Sequence, residues 1–231
     1  MKRLILTALL LFAGLGILAA QTDAEAYTGP ESQSGPSVQV VAMNDFYERG
    51  NFYYSQGLWD RAIEEFTGAI NLSPQYAFLY LNRGLAYAAT KDYALADADL
   101  SQAIRLSPNY ADAYFNRGML YYDMGDYDRA IGDFTDTIRI NPDSGEAYMN
   151  RGIVRYVRGD YARAEADFSQ AIQIRANYAE AYYYRGLARA LQKNTVGAGT
   201  DWFMVLRINP AHSGALRNLN LLRQTGYQPV P

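Results

Sequence analysis

The sequence predicts an all-α fold, a solenoid of five helix–turn–helix repeats closed by a C-terminal capping helix. Three observations carry that prediction. The pair Arg-Gly recurs at 49–50, 83–84, 117–118, 151–152 and 185–186, always 34 residues apart. On that period Ala62, Ala96, Ala130, Ala164 and Ala198 fall in one column, and Phe66, Leu100, Phe134, Phe168 and Trp202 in another. Within each period the apolar residues keep helical spacing, and Gly, Asn or Pro interrupts them where a helix must end.

The first element is an address. Met1, Lys2 and Arg3 precede an apolar run over residues 4–20, broken only by Thr7 and by small residues. Basic residues, an apolar stretch and then small residues form the layout of a secretory signal peptide spanning 1–26. Cleavage fits after Ala20, which moves the net charge of −3 to −5, or after Ala26, which returns it to −3. The alternative is an uncleaved membrane anchor, for which the run is short and weakened by Gly14 and Gly16. Either way the bulk of the chain is expected outside the cytoplasm, periplasmic, secreted or held on the outer side of the plasma membrane. Residues 27–42 follow as a flexible linker, rich in Ser, Gly, Pro, Gln and Glu in its first part.

Five repeats are expected at 43–76, 77–110, 111–144, 145–178 and 179–212. Their logic is clearest in the third. Tyr114, Gly118 and Tyr121 share one helical face, and Gly125-Asp126 breaks that helix and supplies a cap for the next. Ala130, Phe134 and Ile138 repeat the spacing until Asn141-Pro142 stops it. Small Gly and Ala columns allow two helices to cross closely, and the aromatics fill the space beside them. One such pair cannot bury its apolar face alone, so pairs stack. Ser213 is expected to cap a final helix over 213–226, with Leu216, Leu219 and Leu222 inward; a short disordered tail covers 227–231.

An aromatic (Phe46, Tyr80, Tyr114, Tyr148, Tyr182) stands four residues before each Gly, and a proline (Pro74, Pro108, Pro142, Pro210) closes four of the five units. With the Gly, Ala and large apolar columns, this pattern resembles the tetratricopeptide repeat over about 170 residues. The resemblance implies a right-handed superhelical solenoid whose concave groove holds an extended or helical peptide. Arg155 and Arg189 depart from the pattern where Tyr53, Tyr87 and Tyr121 stand, and Lys193 replaces the turn glycine of the last repeat. Gly197 and Gly199 enter that repeat's second helix, which is expected to make it the least stable.

Two sets of columns remain. Arg49, Arg83, Arg117, Arg151 and Arg185 each precede an acid by 16 residues: Glu65, Asp99, Asp133, Asp167 and Asp201. A ladder of salt bridges across the two helices of each unit is expected, open to sharing with the next unit. The other set varies yet stays apolar or aromatic, so packing does not dictate it. It comprises Tyr47, Leu81, Phe115, Met149 and Tyr183; Asn51, Leu85, Met119, Ile153 and Leu187; and Tyr54, Tyr122 and Tyr156, with Tyr184 a further tyrosine outside the repeated pattern. By the resemblance these line the groove, part of them packing between neighbouring helices. Asn82, Asn116 and Asn150 would form a ladder able to bind a peptide backbone. Lys and Arg are missing from these columns, which sets aside the family members that clamp chaperone carboxylate tails.

Composition narrows the function. With 231 residues, 49% hydrophobic and 19% charged, the chain can bury a core. A net charge of −3 and a pI near 5.2 argue against nucleic acid. There is no cysteine and one histidine, His212, read as a loop residue. No phosphate loop, nucleophile elbow or metal-spaced histidine set occurs, so neither an enzyme nor a cofactor is expected. Asp123, Asp126 and Asp128 lack calcium-loop spacing and read as capping and solvation. Asn71-Leu72-Ser73 matches a glycosylation acceptor that Pro74 disfavours. The expected role is binding of a protein or peptide in assembly or tethering of envelope or secreted complexes. A self-associating envelope scaffold is the alternative, and membrane contact is expected only through residues 4–20. Of 21 tyrosines, many belong to repeated columns; Tyr47, Tyr54, Tyr122, Tyr156, Tyr183 and Tyr184 do not.

Overall fold

A computed structural model describes residues 38–224. The signal or anchor segment, the linker up to residue 37 and the tail lie outside the described residues. Eleven helices follow one another with no strand among the described residues. They are α1 Val38–Ser55, α2 Trp59–Leu72, α3 Ala77–Thr90, α4 Tyr93–Leu106, α5 Ala111–Asp123, α6 Tyr127–Ile140, α7 Gly145–Val157, α8 Tyr161–Ile174, α9 Ala179–Leu191, α10 Thr195–Ile208 and α11 Ser213–Gln224. None is long and apolar enough to cross a membrane. The chain divides into two compact units, Met1–Leu120 and Tyr121–Pro231.

Each repeat is the expected pair of helices, for close-packing reasons visible in the columns. All five column alanines, from Ala62 to Ala198, are completely buried, as are Phe66, Leu100, Phe134 and Phe168. A Cβ on Gly50 would come within 2.5 Å of the Phe66 ring, and one on Gly152 within 2.7 Å of Phe168. One on Gly186 would meet Trp202 at 2.5 Å. Helix crossing at these points depends on the missing side chain.

Turn chemistry fixes the joints. The residue before each capping position has positive φ in all five repeats: Gly57, Lys91, Gly125, Gly159 and Lys193. A left-handed backbone costs an L-residue roughly 1–2 kcal/mol, and glycine avoids this. Lys91→Gly and Lys193→Gly are therefore expected to stabilise the protein by roughly 0.5–1 kcal/mol each, read as a higher urea midpoint. Gly159→Ala is the matching control, because open space surrounds Gly159 and only backbone strain can lower the midpoint. Asp126, Asp160 and Asn194 then cap α6, α8 and α10, accepting from the backbone N–H of Arg129, Arg163 and Gly197. The Asn194 cap crowds residue 197, where a Cβ would lie 2.7 Å from its amide. That accounts for one of the two helix glycines in the last repeat.

One helix start, one cap and one inward face differ from expectation. Helix α1 starts at Val38, so residues 38–42 of the expected linker are helical. The Gln39 amide donates to the Leu72 carbonyl at the end of α2, which ties this extra turn down. The cap of α11 is His212, whose Nδ1 accepts from the Ala215 N–H, rather than Ser213. The inward face of α11 is Ala215 and Leu219 with Leu222 half-buried, and Leu216 is exposed.

Within the two units, four of the five expected ion pairs form. Arg49–Glu65 is 2.8 Å, Arg83–Asp99 2.7 Å, Arg151–Asp167 2.8 Å and Arg185–Asp201 2.7 Å. Arg117 belongs to the first unit and Asp133 to the second. Sharing runs to the preceding repeat and through a hydroxyl. Arg83 donates to Thr67, Arg117 to Ser101, Arg151 to Thr135 and Arg185 to Ser169. The aromatic column is the face on which these arginines lie: Arg83 over Tyr80, Arg151 over Tyr148 and Arg185 over Tyr182, at 5.4–5.9 Å. Arg155 and Arg189, the departures from the repeat pattern, are second partners of Asp167 and Asp201 at 2.7 and 2.9 Å.

Candidate functional site

The predicted groove residues separate by burial. Tyr47, Asn51, Tyr54, Leu81, Asn82 and Met149 are buried. Tyr47 packs edge-on against Phe78 at 5.0 Å, and Tyr54 against Trp59 at 4.7 Å. Leu81 and Met149 sit in core clusters with Leu100 and Phe168 respectively. These positions hold helices together, because the first helix of a repeat gives more than one face to its neighbours. Leu85, Phe115, Asn116, Met119, Tyr122, Asn150, Ile153, Tyr156, Tyr183, Tyr184 and Leu187 are half-buried and keep a face to solvent.

The asparagine ladder is differently employed than expected. Asn82, Asn116 and Asn150 each donate to the carbonyl one turn back, Phe78, Asp112 and Glu146, at 2.8–2.9 Å. One amide N–H of each serves its own helix, so the half-buried Asn116 and Asn150 are partly committed to the backbone and keep one N–H and the carbonyl oxygen. In the first unit the Tyr47 hydroxyl and both amide atoms of Asn51 are buried without a hydrogen-bond partner. Burial raises the Tyr47 pKa, against the pull of the nearby Asn51 and Asn82 amides.

The second unit gathers the tyrosines that break the pattern. Tyr122 lies at the end of α5, Tyr156 on α7, and Tyr183 and Tyr184 on α9, the first helices of three successive repeats. Tyr156 meets Tyr161 at 5.6 Å and Tyr184 at 6.2 Å. Tyr184 in turn meets Tyr183 at 5.6 Å and rests on the buried Phe168 at 5.9 Å. Tyr183 continues to His212 at 4.7 Å, and Tyr122 pairs with Tyr127 at 5.8 Å. Such offset and edge-on contacts hold rings rigidly, giving large contact area with few bonds to freeze.

Two carboxylates, Asp123 and Glu180, act on these hydroxyls. Burial raises the hydroxyl pKa of Tyr122 to about 12, with Tyr127, Tyr184 and Asp123 adding to the rise. Burial also raises Tyr156 and Tyr184, reinforced by the other tyrosines and, at Tyr184, by Glu180. The hydroxyls therefore stay neutral donors at physiological pH. Partial burial raises the Asp123 carboxyl as well. Asp123 closes α5, where the carbonyl end of the helix disfavours a negative charge. The sequence names the tyrosines; Asp123 reads there as capping and solvation and Glu180 carries no signal, and only their placement beside the rings gives them a role.

Family models described as tetratricopeptide repeat match residues 115–179 and 159–213, and models described as TPR repeat match 50–91 and 87–125. Among curated proteins, RNA polymerase II-associated protein 3 of Xenopus tropicalis is 40% identical over 52 residues, 22% of this chain and 8% of that protein. The Rattus norvegicus protein matches to the same extent. The chain thus spans 8% of the length of these relatives. Among solved structures, Pseudomonas aeruginosa PilF superposes with a TM-score of 0.71 at 15% identity, covering 82% of this chain and 88% of that one. YrrB, described as a TPR protein with an unusual peptide-binding site, gives 0.65 at 20% identity over 78% and 97%. MamA gives 0.66 at 19% over 82% and 98%.

Proposed function

Because this chain belongs to the tetratricopeptide repeat family, we propose that it is a non-enzymatic interaction module that holds a protein or peptide segment against the tyrosine surface of its second unit. It does so outside the cytoplasm, in the assembly or tethering of envelope or secreted complexes. The observation that carries the reading is the run of half-buried rings from Tyr156 through Tyr184 and Tyr183 to His212. Core packing needs only one side of these rings, and aromatic anchors of this kind supply most of the energy of protein interfaces. The layout of residues 1–26, that of a signal peptide or membrane anchor, supports the location, and the peptide-binding site described for YrrB supports the ligand class.

A second reading, self-association, has its own support at the N-terminal edge. Phe52 is 59% exposed, whereas Ala86, Leu120, Val154 and Ala188, its counterparts in later repeats, are all buried. Val38 and Val41 are exposed on the same helix.

One experiment addresses both readings. The tagged chain is purified from the extracytoplasmic fraction of its host beside a Tyr156→Ser/Leu187→Ser variant, in cells that also make an untagged copy. The expected result is a co-purifying partner that the variant loses. Recovery of the same proteins by both forms rules the tyrosine surface out, and recovery of the untagged copy as the sole partner supports the scaffold. A chain confined to the cytoplasmic fraction rules out the location.

A further inference from the structure

The protein repeatedly uses aromatic faces as seats for its own cations. Arg49 lies over Phe46 at 4.6 Å, Arg129 over Tyr121 at 4.1 Å and Arg175 over Tyr178 at 4.1 Å, besides the four ladder arginines Arg83, Arg117, Arg151 and Arg185 over their column tyrosines. All these distances fall within the roughly 6 Å over which a ring face attracts a cation. Among the described residues no arginine occupies the rings of Tyr122, Tyr156 or Tyr184. Six arginines of the second unit are committed elsewhere: Arg151 and Arg155 to Asp167, Arg185 and Arg189 to Asp201, Arg158 to Asp128 and Arg175 to Glu146.

The carboxylates show the complementary imbalance. Asp123 stands beside Tyr122, and Glu180 beside Tyr184, without an ion pair among the described residues. Among the described residues, half-buried rings that no arginine covers, with two carboxylates that have no ion pair beside them, make a surface suited to a cation.

Resting on the interaction reading above, we propose that this surface takes a peptide segment bearing lysine or arginine. The cationic side chains lie over the rings of Tyr122, Tyr156 and Tyr184 and pair with Asp123 and Glu180. The apolar stems of the same side chains cover the ring edges and Leu187. An acidic or carboxylate-terminated peptide is excluded by the same groups, since each would bring like charge against Asp123 or Glu180.

The test is selection of a random peptide library on the full chain and, in parallel, on a Tyr156→Leu/Tyr184→Leu variant. Peptides that need the intact surface should be enriched in Lys and Arg. One such peptide, labelled for fluorescence anisotropy, should lose roughly two- to five-fold in affinity with Asp123→Asn or with Glu180→Gln, and again with Tyr156→Leu. Its Arg→Gln and Arg→Glu versions should bind progressively more weakly. Asn and Gln keep the shape of the acids they replace, so the carboxylate variants separate charge from folding. Surface-dependent peptides with no excess of cations would overturn this proposal while leaving the interaction reading in place. A selection that yields no surface-dependent peptide overturns both.

Discussion

Replacing Asp201 with alanine is expected to destabilise the protein by about 3 kcal/mol, at the low end of the range for breaking a buried ion pair. Asp201 is 1% exposed at its side chain and accepts from Arg185 Nε and Nη2 at 3.0 and 2.7 Å and from Arg189 Nη1 at 2.9 Å. Alanine leaves both guanidinium groups in a poorly solvated site. Two residual contacts keep the loss from the top of the range: Arg189 retains Glu165 at 2.7 Å, and Arg185 retains the Ser169 hydroxyl at 3.1 Å. A drop of this size corresponds to roughly 6–12 °C in melting temperature for a chain of this length. Urea unfolding at neutral pH reads it directly. A triple variant, Asp201→Leu with Arg185→Met and Arg189→Leu, should recover most of the loss, because removing all the charges removes the desolvation cost. The exposed pair at the other end of the ladder makes the contrast: Glu65→Ala should leave the midpoint almost unmoved, since water already solvates Arg49. Equal losses at the two ends would refute the argument from burial.

Phe168→Ala is expected to cost about 3–5 kcal/mol. The ring is fully buried where α7 and α8 cross, packed so close to Gly152 that a Cβ there would approach within 2.7 Å. Alanine opens a cavity that the two helices cannot close, because the ion pair of Arg151 with Asp167 holds their register. Phe168→Leu should cost less than about 1.5 kcal/mol, as leucine already serves this column at Leu100. The same ring supports Tyr184 from beneath. Phe168→Ala should therefore loosen the tyrosine surface and weaken any ligand held there, whereas Phe168→Leu largely spares it. Calorimetry gives the stability term, and a ligand-binding titration of the two variants gives the coupling.

The helices were legible because each is punctuated by residues with a local reason to be there. Asp126 caps, Asn141-Pro142 stops, and Ala130 and Phe134 mark the buried face, all within one repeat. Local rules gave way where a distant partner intervened. Residues 38–42 become helical because the end of α2 lies within reach of Gln39. Arg155 and Arg189 look like lapses in the repeat until Asp167 and Asp201 are seen between two arginines each. His212 reads as a loop residue although its imidazole caps α11 and touches Tyr183. The asparagine column was recognised, but the direction of its hydrogen bonds depends on which carbonyl lies one turn back.

Sequence alone determined the repeat. A 34-residue period, its small and large columns and its turn residues leave one way to pair the helices, since packing at that period recurs in each copy. It also named the tyrosines outside the pattern. Only the tertiary structure divided those tyrosines into Tyr47 and Tyr54, which helices cover, and Tyr122, Tyr156, Tyr183 and Tyr184, which keep an open face. The reason is geometric: exposure depends on which neighbouring helix arrives over a position, and that is fixed by packing between repeats rather than by periodicity within one.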